Sequence, residues 1–259
     1  MTLQDVKCFL LDMDGTFYLG NNLIEGSLDF IEKVRATGRD FLFLTNNSSH
    51  NADFYVKRLH GMGLDVPREK ILTSGEATAD KLNQLYPGKR AFVLGNEYLI
   101  EEFTQMGVIV DQENPEIVVI GYDTTLDYKK MTRVCDLVRA GLPYIATHPD
   151  FNCPTETGFA PDIGAIMAFI EASAFRRPEL IVGKPNTGIV EAALRRTGLK
   201  AGEMAMVGDR LYTDIETGLR SGMLSILVMS GETTEEMLAK SETVPDLKFG
   251  RLADMIPLL

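Results

Sequence analysis

The sequence predicts an α/β protein built on a central parallel sheet and interrupted by a second, inserted α/β domain. Three observations carry that expectation. Short apolar runs alternate with helical patterns at both ends of the chain. The polar segments with chemical potential fall where apolar runs stop. A middle block repeats the alternation and is bracketed by its own proline and glycine punctuation.

Taken in order, residues 6–11 read as a buried strand. Leu28, Ile31 and Val34 then recur at helical spacing before Gly38. Residues 41–44 form a second strand, and Phe54, Val56, Leu59 and Met62 a second helix closed by Gly63. The rhythm returns late: a strand at 204–207, a helix near 212–221, a strand at 224–229, a helix near 234–239. Such alternation produces βαβ units and hence a parallel sheet. The middle block predicts strands at 91–94, 117–120 and 144–146, with helices at 97–106, 128–140 and 162–172. Pro87-Gly88 and Arg177-Pro178 bracket it. The expected division is therefore a core of 1–77 with 180–259, and an insert of 78–179. A domain of about 100–200 residues is the usual size, so both pieces can bury a core.

Composition narrows the functions. The chain has 259 residues, 26 lysines and arginines against 37 aspartates and glutamates, and a net charge of −11. Phosphate-backbone contacts need excess cations, so this balance opposes nucleic acid polymers and anionic membrane surfaces. The sequence contains no apolar stretch of the roughly 18 residues a membrane span requires. Three cysteines do not make a disulfide framework, and no secretory pattern opens the chain. A reducing, cytoplasmic setting is the expectation.

Four segments carry the chemistry. The first strand runs into Asp12-Met13-Asp14-Gly15, placing two carboxylates where a strand meets a glycine turn. Like charges that close need a cation or a shared proton. The second strand ends at Thr45-Asn46, hydroxyl and amide donors just before a helix, where anions also bind. Lys184 follows the apolar pair Ile181-Val182 and precedes Pro185, and its ammonium can meet a phosphate as a point charge. Gly208-Asp209 ends another strand, and Asp214 follows in the next helix. Each segment alone also fits turn or capping chemistry. Together, all four follow apolar runs, and strands of one parallel sheet deliver their ends to one edge. That edge would gather Asp12, Asp14 and Asp209 around a hard cation, with Asp214 beside them. Mg²⁺ suits an all-oxygen set. Thr45, Asn46 and Lys184 would hold a phosphate.

In this order the four segments resemble motifs I to IV of the haloacid dehalogenase superfamily. The insert resembles the large α/β, C2-type cap of its NagD-like, class IIA subgroup. The stretches GDRLYTDI (208–215), TSGEATA (73–79) and HPDFNCPTETGFAPDIGA (148–165) are similar to that subgroup's. The resemblance implies a Rossmann-like core and a Mg²⁺-dependent phosphatase acting on small phosphomonoesters, sugar phosphates or nucleoside monophosphates. It implies Asp12 as nucleophile, Asp14 as general acid/base, Lys184 as a catalytic and phosphate-binding cation, and Asp214 as a support for the metal ligands. An aspartate at position 14, rather than threonine or alanine, favours ester hydrolysis or a mutase. The cap loop 148–162 would set specificity, with His148, Asp150, Asn152, Cys153, Thr155 and Glu156 as candidate substrate contacts. Caps of this subgroup often take part in dimer contacts, which leaves a homodimer open, with no such patch located in the sequence. A phosphotransferase or mutase, a phospho-acceptor regulator and a non-catalytic phosphometabolite-binding protein are the alternatives left open by the sequence.

Overall fold

The computed structural model describes residues 2–155 and 158–259. Six strands build the first sheet, in the order Leu247–Phe249, Leu224–Val228, Met204–Gly208, Cys8–Leu11, Asp40–Thr45, Ile71–Thr73. Its pairings along the row from Leu247–Phe249 to Asp40–Thr45 are parallel. Cys8–Leu11, Met204–Gly208 and Leu224–Val228 are buried at every position. A strand covered on both faces reads as a continuous apolar run rather than an alternating one, which is why these were legible. Leu11 stands opposite both Phe43 and Val207. Asp12, one residue further on, and Thr45 and Asp209, two residues further on in their strands, therefore emerge at one edge.

Helix Ser27–Ala36 packs on this sheet through Phe30, Ile31 and Val34, an apolar stripe at helical spacing. Phe30 meets Phe9 edge-on, ring centres 5.5 Å apart, and Phe17 meets Phe43 in the same manner at 4.9 Å. Each fully buried side chain of this size contributes about 1.5–3 kcal/mol.

The chain divides into two compact units. One comprises the chain up to Thr45, Tyr55–Leu72 and Lys184–Leu259, and the other Asn46–Phe54 and Thr73–Gly183. The second unit has its own parallel sheet, in the order Leu180–Ile181, Tyr144–Ala146, Ile117–Ile120, Arg90–Leu94, Ile109–Val110. Its side chains alternate between two cores. Phe92, Leu94, Val118 and Ile120 pack against Tyr128–Arg139 and Ile163–Ala174. Ala91, Val93, Ile117 and Val119 pack with Leu82 of Ser74–Leu85 and Phe103 of Glu97–Gln105.

Three features differ from the sequence expectation. The apolar run before Lys184 forms the two-residue strand Leu180–Ile181, and it joins the second sheet, not the sheet that carries Asp12. So short a strand holds no pattern that could assign it to a sheet. The helix expected near 212–221 opens with a wide π-type turn, Leu211–Ile215, before the α-helix Glu216–Ser221. Two hairpins, Tyr18–Leu19 with Asn22–Leu23 and Asn152–Thr155 with Gly158–Pro161, had no signal in the sequence.

Candidate active site

The site assembles at the edge where Cys8–Leu11 and Met204–Gly208 end. The Asp12 N–H donates to the Val207 carbonyl at 2.9 Å, extending the ladder one residue beyond the strand. The chain then turns at Gly15, whose φ of +87° suits glycine, and a Cβ there would collide with the Asp209 carboxylate. Asp12, Asp209 and Asp214 each offer an oxygen within 4.8 Å of the others.

Lys184 reaches this group with 2 % of its side chain exposed. Its ammonium donates to Asp12 Oδ1, to Asp214 Oδ1 at 2.7 Å and to the Leu44 carbonyl at 3.3 Å. Burial alone would weaken the ammonium, but Asp12 and Asp214 more than offset it and hold Lys184 protonated above its ordinary range. The carboxylates show the opposite strain. Burial, then the charges of Asp214 and Asp209, push Asp12 up, with Lys184 pulling the other way. Burial and Asp214 push Asp209 up as well.

Backbone donors fix the two later acids. Asp214 Oδ2 accepts from the Arg210 N–H at 3.1 Å. Asp209 Oδ2 accepts from the Glu232 N–H at 2.6 Å, and its Oδ1 from Thr16 Oγ1 at 3.4 Å. The loop after Leu224–Val228 encloses Asp209 further. Thr233 Oγ1 donates to the Asp209 carbonyl at 2.5 Å, and Ser230 Oγ to the Gly15 carbonyl at 2.7 Å. Sequence reasoning missed this loop and Thr16. The signal was present, since Ser230-Gly231-Glu232-Thr233 repeats the pattern of a small polar turn after an apolar strand.

Asp14 stands apart from the three-carboxylate group. It is exposed, and its Oδ1 accepts from the Gly20 N–H at 3.4 Å in the hairpin that follows. Thr45 is buried at the end of its strand. Asn46, the next residue, belongs to the second unit, and its Nδ2 donates to both oxygens of Asp150, at 3.1 and 3.3 Å.

The remaining cap candidates scatter. His148 is wholly buried, with Nε2 3.2 Å from Asp162 Oδ1 and Nδ1 3.0 Å from Thr147 Oγ1. Asn152 is exposed and Cys153 half-buried in the first strand of the hairpin that Thr155 ends. Glu156 lies outside the described residues.

An all-carboxylate donor set, short of positive charge and converging on one point, fits a hard divalent cation. The residues present thus suit Mg²⁺, which would lower the cost of ionising Asp12 and Asp209 together.

Strand-end carboxylates, a buried lysine and an α/β insert define a class that sequence comparison confirms. Residues 9–109 match the model for haloacid dehalogenase-like hydrolases, and residues 181–255 match a second HAD-hydrolase-like model. The chain belongs to the haloacid dehalogenase-like hydrolase family, in its NagD-like branch. It is 35% identical to the acid sugar phosphatase of Staphylococcus aureus over 255 residues, 98% of each chain. Its structure is similar to that of the 4-nitrophenylphosphatase of Thermotoga maritima, with a TM-score of 0.96, 47% identity and 98% of each chain covered. It also resembles NagD of E. coli K-12, with a TM-score of 0.89, 32% identity, and 96% and 98% of the two chains covered. Among the described residues no helix is long and apolar enough to cross a membrane.

Proposed function

We propose that this phosphoric monoester hydrolase cleaves small phosphomonoesters, sugar phosphates or nucleoside monophosphates, through a phosphoryl group carried transiently on Asp12. The observation that supports this reading most is the Lys184 ammonium shared between Asp12 and Asp214, with Asp209 alongside. A buried lysine so placed orients a carboxylate nucleophile and offsets charge on a phosphoryl group.

Asp12 attacks phosphorus, and the bond to the leaving oxygen breaks. Asp14 gives its proton to the departing alkoxide. Its exposure on the turn leaves it open to a leaving group and to water. Water then attacks the phosphorus of the Asp12 acyl phosphate, the bond from phosphorus to the Asp12 oxygen breaks to return the carboxylate, and the water's proton passes to Asp14. Lys184, Thr45 and Asn46 hold the phosphoryl oxygens. Mg²⁺ would be held by Asp12 and Asp209 of the three-carboxylate group, and when bound would supply positive charge that keeps the carboxylates ionised and offsets the phosphoryl oxygens; Asp14, expected from the sequence as a third ligand, stands apart and keeps the proton-transfer role. Asp214 shares the Lys184 ammonium with Asp12 and is held by the Arg210 N–H, which suits a role in supporting the site.

The insert acts as the specificity cap, through loop 148–162, with Asp150 favouring hydroxyl-bearing leaving groups over extra anionic ones. The names of the sugar phosphatase and nitrophenylphosphatase relatives support the same substrate class. Cys8, Cys135 and Cys153 form no disulfide with one another, which suits a reducing cytoplasm.

The test is phosphate release from p-nitrophenyl phosphate and a panel of sugar phosphates, with and without Mg²⁺. Release that needs Mg²⁺ and vanishes in Asp12→Asn supports the reading. Full activity in that variant would remove Asp12 as nucleophile.

A further inference from the structure

We propose that Arg210 and Glu232 form a positioning clamp that sets the spacing of Asp209 and Asp214, and thereby the affinity of the acidic cluster for its divalent cation. The inference rests on reading that cluster as a metal site.

Two backbone N–H groups orient the two acids: Arg210 donates to Asp214 Oδ2, and Glu232 to Asp209 Oδ2. The side chains of these same residues meet each other. Arg210 Nε lies 3.0 Å from Glu232 Oε2, close but not aligned as a hydrogen bond, so it acts as a charge pair. Tyr212 Oη donates to Glu232 Oε1 at 2.8 Å and holds the other carboxylate oxygen. The donors that aim Asp209 and Asp214 are therefore tied together from behind.

The tie has a physical purpose. Three carboxylates this close repel one another, and Asp209 sits on the loop side of the group. Gly231 presses against it so closely that a Cβ there would collide with the carboxylate. Thr233 anchors one end of the loop to the Asp209 backbone, through its hydroxyl and through its N–H at 3.3 Å. Its remaining freedom is at Glu232, and the Arg210 pair removes it. Charge matters as well as position. An uncompensated guanidinium beside a cation site would repel the cation, and Glu232 neutralises it. The pair is only partly exposed, 18 % for Arg210 and 33 % for Glu232, so solvent screens it incompletely. Groups that orient metal ligands in this way commonly govern metal affinity by about 10–100-fold.

The experiment measures the Mg²⁺-induced rise in melting temperature, without substrate, for the wild type, Arg210→Gln, Glu232→Gln and the charge swap Arg210→Glu with Glu232→Arg. Each single variant is expected to need about 10-fold more Mg²⁺ for the half-maximal rise. The swap restores the pair and is expected to recover most of the loss. In parallel, activity lost at low Mg²⁺ should return as Mg²⁺ is raised, with KM for p-nitrophenyl phosphate unchanged. Wild-type Mg²⁺ dependence in both single variants overturns the clamp. So does a raised KM in Arg210→Gln with unaltered Mg²⁺ dependence, since Arg210 would then touch substrate. A wild type with no Mg²⁺ response overturns the metal-site reading itself, and the clamp with it.

Discussion

The ammonium of Lys184 donates to Asp214 Oδ1 at 2.7 Å, and neither side chain is more than 2 % exposed. The same ammonium also donates to half-buried Asp12, so one buried positive charge serves two carboxyl groups. Removing one partner of a buried ion pair leaves charge without compensation, which costs far more than an exposed pair is worth.

Lys184→Ala is therefore expected to lose both stability and activity. Unfolding in urea at neutral pH should show a loss of about 3–5 kcal/mol, the range for a broken buried pair. The loss should shrink in acid, where the stranded carboxylates take up protons. Activity should fall by about 10²–10³ in kcat, as when one donor to a developing oxyanion is removed. A variant with wild-type kcat would contradict the role given to Lys184.

The raised carboxylates make Mg²⁺ and pH interdependent. Asp209 is pushed from 3.8 up to about 7 and Asp12 up to about 8, chiefly by burial. In metal-free protein these groups keep protons that the unfolded chain has already released. Their contribution to stability is whole below 3.8 and is gone once the pH has risen through about 8. Mg²⁺ replaces the protons. The Mg²⁺-induced rise in melting temperature should therefore be larger at pH 8 than at pH 6, and an equal rise at both would count against a shared metal and proton site.

Close approach to Asp209 gives a third expectation. Gly231 lies against its carboxylate, and a methyl group there must displace either the loop or the acid. Gly231→Ala should lower activity at least about 10-fold, since misplaced ligating groups cost this much or more. Overpacking typically costs about 1–3 kcal/mol. Phosphate release and a urea melt on the same variant separate the two effects, and an active variant would show that the loop gives way without cost.

Much of this site was legible in the sequence, and the rest was hidden for identifiable reasons. Asp12 and Asp209 each follow a doubly covered apolar strand, whose continuous pattern announces where it ends. Lys184 was legible by residue type and by its Gly-Lys-Pro context, but its strand was placed in the wrong sheet, because two residues carry no period. The Arg210–Glu232 pair joins charges separated by a helix and a strand, a relation with no linear signature. The burial of His148 was equally hidden. A histidine after a strand reads as a loop residue until its partner, Asp162, is folded against it.

That pair carries the last expectation. Asp162 caps helix Ile163–Ala174 by accepting the Ile163 N–H at 2.6 Å, and the same oxygen faces His148 Nε2. On the other side of the ring, Nδ1 lies 3.0 Å from the Thr147 hydroxyl. The ring thus fastens the start of loop 148–162 to its end. His148→Ala would open a cavity and remove one of the two partners of Asp162 Oδ1, at a cost of about 2–5 kcal/mol. If the loop selects the leaving group, loosening it should raise KM for sugar phosphates more than for p-nitrophenyl phosphate, and alter kcat little. His148→Gln, which keeps a donor, should recover part of both effects. Steady-state kinetics on the two substrates decides the matter: equal losses in kcat for both would assign His148 to the chemistry instead of to the loop.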